Sequence, residues 1–215
     1  MGKPKVFVTR RWPEIAENQL KKYFDVTLNL NDKALSNKEL QDAFYNHDAI
    51  APTVSDMIDE NIIKSGKSGR GKIISNFGVG FSHIDINACQ KYEIKVSNTP
   101  DVLTDATADL TILLMLMVSR RSKEGEYQIN NNLWPGWSPT HLLGSELTSK
   151  TLGIIGLGRI GQAVAKRAFF GFNMKIKFYN RSKKNLDFSF KAEQINSICD
   201  LCKSSDFLTV HCPGG

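Results

Sequence analysis

A chain of 215 residues with 41% apolar content can bury a substantial core, as one large domain or two small ones. Its net charge of +6 is spread along the chain without the aromatic-interleaved basic stripe of a nucleic-acid surface, and its longest apolar stretch, Leu110 to Val118, is too short to span a bilayer. Four cysteines, Cys89, Cys199, Cys202 and Cys212, are too few and too scattered for a disulfide scaffold, so a reducing, cytoplasmic compartment is expected.

The opening "MGKPKVFVTR" has neither an apolar signal core nor a cleavage site, and Val6 stands where myristoylation after Gly2 would need Ser or Thr. Strands and helices then alternate. "KVFVTR" reads as a strand, "PEIAENQLKKYF" has helical spacing, and "DVTLNL" alternates like a strand. Ser36 with Glu39 forms a capping box for "NKELQDAFYN", and "DAIAP" is a short buried strand stopped by Pro52. "DENIIKSG" predicts a helix ending at Gly66, "KIISNF" a strand, "DINACQKY" a helix and "IKVSN" a further strand. This alternation implies a parallel sheet.

Pro100 breaks the series and sets the expected boundary between a domain over 1–100 and a second over 101–215. Beyond it, Thr104 or Asp105 is placed to cap a long helix through "ATADLTILLMLMVSRR", apolar almost all round and therefore expected to be buried between two layers or two subunits. An irregular loop, "INNNLWPGWSPTHLLGSEL", leads to the next strand.

That strand is "TLGII", followed at once by the G-x-G-x-x-G of Gly156, Gly158 and Gly161 and by the helix "RIGQAVAKRAFFGF". Glycines with a strand before and a helix after predict a dinucleotide-binding turn: Gly156 for the tight bend, Gly158 for pyrophosphate approach, Gly161 for close helix packing. The helix N-terminus favours an anion there. After the next strand, "KIKFYN", stand Asn180, Arg181 and Ser182 and then Lys183 and Lys184, with no carboxylate for a ribose 2′-hydroxyl. That substitution favours NADP (NADPH) over NAD.

"DFSFK" is a weaker candidate strand, and "NSICDLCKSSDF" looks helical. Cys199 and Cys202, three apart on it, are expected as buried thiols rather than zinc ligands, so no metal is expected. "FLTVHC" is the last strand. One mononucleotide-binding half plus a single further strand is an incomplete doubly wound sheet, so the chain is expected to be a fragment or ordered part of a longer protein.

Taken together, "NFGVGFSHIDINAC", "IKVSNTPDVLTDATADLTILLMLMVSRR", "LWPGWSP", "KTLGIIGLGRIGQAVAKR" and "HCPGG" resemble the D-isomer-specific 2-hydroxyacid dehydrogenases, nearest to the glyoxylate/hydroxypyruvate reductases. The resemblance implies an α/β protein: a flavodoxin-like substrate domain and a doubly wound Rossmann dinucleotide-binding domain, C-terminally incomplete here, with the active site in the cleft between them. It implies that the amides of Val79 and Gly80 hold a substrate carboxylate, consistent with an anion nest after a strand, and that Val54 lines the same pocket. Thr107 would lie near the cofactor, Gly156, Leu157, Gly158, Arg159, Ile160 and Gly161 would form the pyrophosphate loop, and Cys212 with Pro213 would bracket the adenosine side.

Trp134 and Trp137 fall in what resembles the family's dimerisation loop. Trp137 either reaches into the partner's pocket or only packs the interface of a homodimer. Glu93 stands where the family commonly has glycine, which puts the turn before "IKV" in question. The family's catalytic arginine, glutamate and histidine would all follow Gly215. His47, His83, His141 and His211 match none of them, His83 being a scaffold residue. The implied activity is NADPH-linked reduction of a small 2-oxo acid to the D-2-hydroxy acid, with the 215 residues alone inactive. A dinucleotide-sensing, corepressor-like interaction protein is the alternative on the same fold.

Overall fold

Nine parallel strands fall into two sheets in the computed structural model, which describes residues 2–182 and 190–212. Chain contacts divide it into two units, with the break after Asp101.

In unit one, β1 (Lys5–Val8), β2 (Asp25–Leu28), β3 (Ala49–Ala51), β4 (Ile73–Ser75) and β5 (Lys95–Ser97) form a sheet of order β2-β1-β3-β4-β5, paired in parallel throughout. This is the flavodoxin-like order, whose topological switch lies between β1 and β3. The connecting helices are α1 (Glu14–Tyr23), α2 (Asn37–Asn46), α3 (Glu60–Ser68) and α4 (Ile86–Lys91). Ser36 and Glu39 make the full capping box on α2, and Asp59 caps α3. Leu40, Phe44, Ile50, Ile62, Ile63 and Ile74 close the core with almost no exposure.

Gly66 does not end α3. The helix runs on through it to Ser68 with Gly69 as its cap, and glycine suits position 66 because a Cβ there would strike the Phe44 ring. Glu93 takes φ +57, the left-handed conformation that suits glycine, so the turn before β5 forms with a strained residue.

In unit two, β6 (Thr151–Ile155), β7 (Lys175–Tyr179), β8 (Ala192–Gln194) and β9 (Phe207–Val210) order as β8-β7-β6-β9, all parallel. Counted within the unit this is 3-2-1-4, the first half of a Rossmann sheet and one strand of the second. The helices are α5 (Thr104–Ser119), α6 (Ser122–Asn130), α7 (Arg159–Phe172) and α8 (Ile198–Lys203). Gly161, Val164, Ala165 and Ala168 form the buried stripe of α7, and Arg167 ties it to α5 through Asp105 at 2.9 Å and Asp109 at 2.6 Å.

Several expectations in this unit are corrected. Neither Thr104 nor Asp105 caps α5; Leu103 precedes it without a side-chain cap. The helix stops at Ser119, because Arg121 turns left-handed at φ +54 and a separate helix, α6, begins. Ala108 and Met115 of α5 face the core, while Leu110, Leu113, Leu114 and Val118 are exposed in the single chain, on the side that the expected second subunit would cover. Of the candidate strand "DFSFK", Asp187, Phe188 and Ser189 fall outside the described residues and Phe190 and Lys191 belong to no strand; a short strand follows at Ala192–Gln194. Cys199 and Cys202 are exposed, not buried, because α8 turns only Leu201 inward.

Candidate functional site

The two units each present a backbone turn at the carboxyl end of a strand. In unit two, β6 runs into Gly156, whose φ is +91 and whose Cβ would lie 2.7 Å from the Cys212 nitrogen, so only glycine fits. A Cβ on Gly161 would collide with the Gly156 carbonyl oxygen, whereas one on Gly158 would meet nothing within 4 Å. Sterics of the fold thus demand the first and third glycines, and the second leaves open space in front of the backbone. Gly158 caps α7, and the N–H groups of Gly158, Ile160 and Gly161 meet no acceptor among the described residues. This is a cradle that an anionic bridge fits.

Asn180, at the end of β7, supports the turn. Leu157 N–H donates to Asn180 Oδ1 at 2.8 Å, while Asn180 Nδ2 is buried without a partner among the described residues. Arg181 and Ser182 follow, exposed; Lys183, Lys184 and Pro213 lie outside the described residues. Cys212 abuts Gly156 through its backbone and is itself exposed. Thr107 lies on α5, in a cavity of about 520 Å³ that it shares with Leu114 and with β9.

In unit one, β4 leads into the segment Asn76–His83. Its three central carbonyls are all engaged: Gly78 O accepts from Asn76 Nδ2 at 3.2 Å and Thr99 N at 3.0 Å, Val79 O from Asn98 Nδ2 at 2.9 Å, and Gly80 O from Asn76 Nδ2 at 2.9 Å. The N–H groups of Val79, Gly80 and Phe81 meet no acceptor among the described residues. His83 Nε2 lies 2.9 Å from Asn76 Oδ1. Because the Asn76 amide nitrogen is already pointed at two carbonyls, Oδ1 must accept and His83 must carry its proton on Nε2. Burial pushes the His83 pKa down, so the ring is neutral near pH 7.

Val54 packs beside this segment, its Cγ1 3.1 Å from where a Gly78 Cβ would stand, and is 63% exposed, open to a ligand. Its turn is pinned by buried Asp56, which accepts from Thr9 Oγ1 at 2.6 Å and Thr53 N at 2.8 Å. Trp12 packs at a tilt against Phe77, ring centroids 5.1 Å apart, and Glu17 accepts from Arg11 and from the Trp12 amide. The Arg11 guanidinium holds the Glu17 carboxyl below the ordinary range. Trp137 is 86% exposed, while Trp134 packs edge-on against His141.

Sequence reasoning missed Asn76, Asn98 and Asp56. Their signal was weak: an asparagine at each of two neighbouring strand ends carries no spacing rule. Among the described residues no group of three or more His, Cys, Asp or Glu could hold a metal ion, and no helix is long and apolar enough to cross a membrane.

Residues 112–215 match the family described as D-isomer specific 2-hydroxyacid dehydrogenase, NAD binding domain. The chain is 41% identical to a glyoxylate reductase of Thermococcus litoralis over 98% of its own length and 64% of the relative's. It is 36% identical to a glycerate dehydrogenase of Hyphomicrobium methylovorum over 99% of its length and 66% of that protein's. A solved structure from Polaromonas sp. JS6 66, assigned to the D-isomer specific 2-hydroxyacid dehydrogenases, superposes with a TM-score of 0.91 at 35% identity, covering 99% of this chain and 66% of that one. The chain therefore spans about two thirds of the length of the proteins it matches.

Proposed function

Because the chain belongs to the D-isomer-specific 2-hydroxyacid dehydrogenase family, near its glyoxylate reductases, we propose that it binds NADPH and a small 2-oxo acid, of the glyoxylate or hydroxypyruvate kind, for reduction to the D-2-hydroxy acid. The observation that carries the reading is the outward pair of N–H groups at Val79 and Gly80, a receptor for a carboxylate in a chain that also folds a dinucleotide turn. Val54 supplies the apolar wall beside the carboxylate, and Trp137 is a further contact from a second copy in a homodimer.

Gly156 to Gly161 would hold the pyrophosphate, with Thr107 and the Cys212–Pro213 strand end as neighbouring contacts. When bound, the reduced nicotinamide supplies the hydride. Preference for the phosphorylated coenzyme rests on Asn180, Arg181 and Ser182. The Leu157 N–H occupies the amide oxygen, which leaves the Asn180 N–H₂ as a donor. A carboxylate there would oppose a 2′-phosphate by about 4 kcal/mol at about 4 Å in an effective dielectric near 20.

The proton that accompanies the hydride comes from outside residues 1–215 in this reading. Each histidine in the chain is already engaged: His47 with Ala43 and Thr27, His83 with Asn76, His141 with Gln128 and His211 with Thr209. Titration with NADPH and NADH, and assays of glyoxylate and hydroxypyruvate reduction with each, test the proposal. Tighter NADPH binding and no turnover by the 215-residue chain are expected. Comparable dissociation constants would overturn the coenzyme preference, and turnover by the verified chain would overturn the placement of the proton donor.

A further inference from the structure

We propose that Asn76, locked by His83, and Asn98 are positioning residues that aim three backbone N–H groups, those of Val79, Gly80 and Phe81, at the substrate carboxylate. The inference rests on the carboxylate reading above and adds a third donor and the side chains that set all three.

A trans peptide carries its C=O and its N–H on opposite sides, and the peptides of this segment are trans. Whatever holds one carbonyl therefore sets the direction of the next residue's N–H. Asn76 and the Thr99 N–H together hold the Gly78 carbonyl and so set Val79 N–H; Asn98 holds the Val79 carbonyl and so sets Gly80 N–H; Asn76 also holds the Gly80 carbonyl and so sets Phe81 N–H. Three consecutive carbonyls tied to amide donors leave three consecutive N–H groups turned away from those amides, a concave anion receptor.

The lock matters because an asparagine amide is nearly symmetric. Flipped, Asn76 would press its oxygen against two carbonyl oxygens, releasing the Gly80 carbonyl and leaving the Gly78 carbonyl to the Thr99 N–H alone. His83 prevents this by donating to Oδ1, and its burial keeps it in place with only 7% exposure. Its role is to orient Asn76, with no contact to substrate required.

The test uses the ¹⁵N-labelled 215-residue chain titrated with oxamate, reading the amide resonances of Val79, Gly80 and Phe81 and the dissociation constant they report. All three are expected to shift in the unaltered chain. Asn98→Ala should diminish the Gly80 response before the Val79 response and weaken oxamate about tenfold, with resonances of unit two unmoved. His83→Leu should weaken it similarly and His83→Gln, which keeps a donor, should restore it. A merely structural role would not produce that residue-by-residue pattern or the rescue. Unchanged affinity in Asn98→Ala and His83→Leu, with the three amides still responding, would overturn the positioning role and leave the carboxylate reading intact. No oxamate response at any of the three amides in the unaltered chain would overturn both.

Discussion

Unit one and unit two solve the same problem by different means. Each holds a turn at a strand end whose N–H groups meet no acceptor among the described residues. Unit two does it with covalent geometry: Gly156 at φ +91 and Gly161 under the Gly156 carbonyl leave no alternative backbone path. Unit one has no glycine under comparable constraint at Gly80, where a Cβ would meet nothing within 4 Å, and relies on side-chain amides reaching across from Asn76 and Asn98. A turn held by sterics tolerates changes in its surroundings; one held by hydrogen bonds depends on every partner.

The largest expected effect tests a side chain that does support the glycine turn. Asn180→Asp keeps an acceptor for Leu157 N–H, so the turn should stand, but it places a charge beside the 2′-phosphate. NADPH affinity should fall by up to the order of a thousandfold while NADH is little affected or gains. Parallel titrations of the two coenzymes decide it.

Gly156→Ala and Gly158→Ala separate the roles of the glycines. The first forces a Cβ against the backbone of His211 and Cys212 at a positive φ and should cost about 2 to 4 kcal/mol in denaturant unfolding. The second has room and should change stability by about 0.5 kcal/mol or less, yet it fills the space in front of the backbone and should weaken dinucleotide binding. Equal loss of stability in both would break the steric account.

Acid should distinguish the units next. Glu17 is buried and its pKa is lowered, first by its hydrogen bonds with Arg11. Its contribution is therefore present above the ordinary glutamate pKa and lost as pH falls through the lower folded value. The Trp12–Phe77 side of unit one should loosen in that window while the turn at Gly156 does not, as read by amide exchange resolved by residue. Glu17→Gln should abolish the difference and cost about 1 to 2 kcal/mol near neutral pH, since Arg11 is half exposed.

The smallest effect concerns Glu93. Relief of its left-handed φ by Glu93→Gly should raise stability by up to about 1 kcal/mol, offset in part by the looser unfolded chain. A fall in Tm would show that the ion pair with Lys67 outweighs the strain.

Much of this was legible in the residues. The Ser36–Glu39 box, the alternation of strands and helices and the triple glycine are local patterns, and each formed as its local physics requires. Other features were not. Gly66 resembled a helix stop until Phe44, twenty-two positions earlier, was seen against it. Cys199 and Cys202 shared a helical face, but spacing alone does not say which face turns inward, and Leu201 took that place. The all-round apolar α5 announced burial without saying how much of it this chain supplies.

The sequence by itself determined the strand–helix alternation of unit one, the parallel α/β class and the glycine turn, because φ preference, a missing Cβ and apolar period are properties of neighbouring residues. Only the tertiary structure decided that Asn76, Asn98 and His83 act together, that Asp56 pins the turn carrying Val54, and that Asn180 supports Leu157. Those relations are hydrogen bonds between groups brought together by the strand order, and no rule of spacing along the chain encodes which amide will reach which carbonyl.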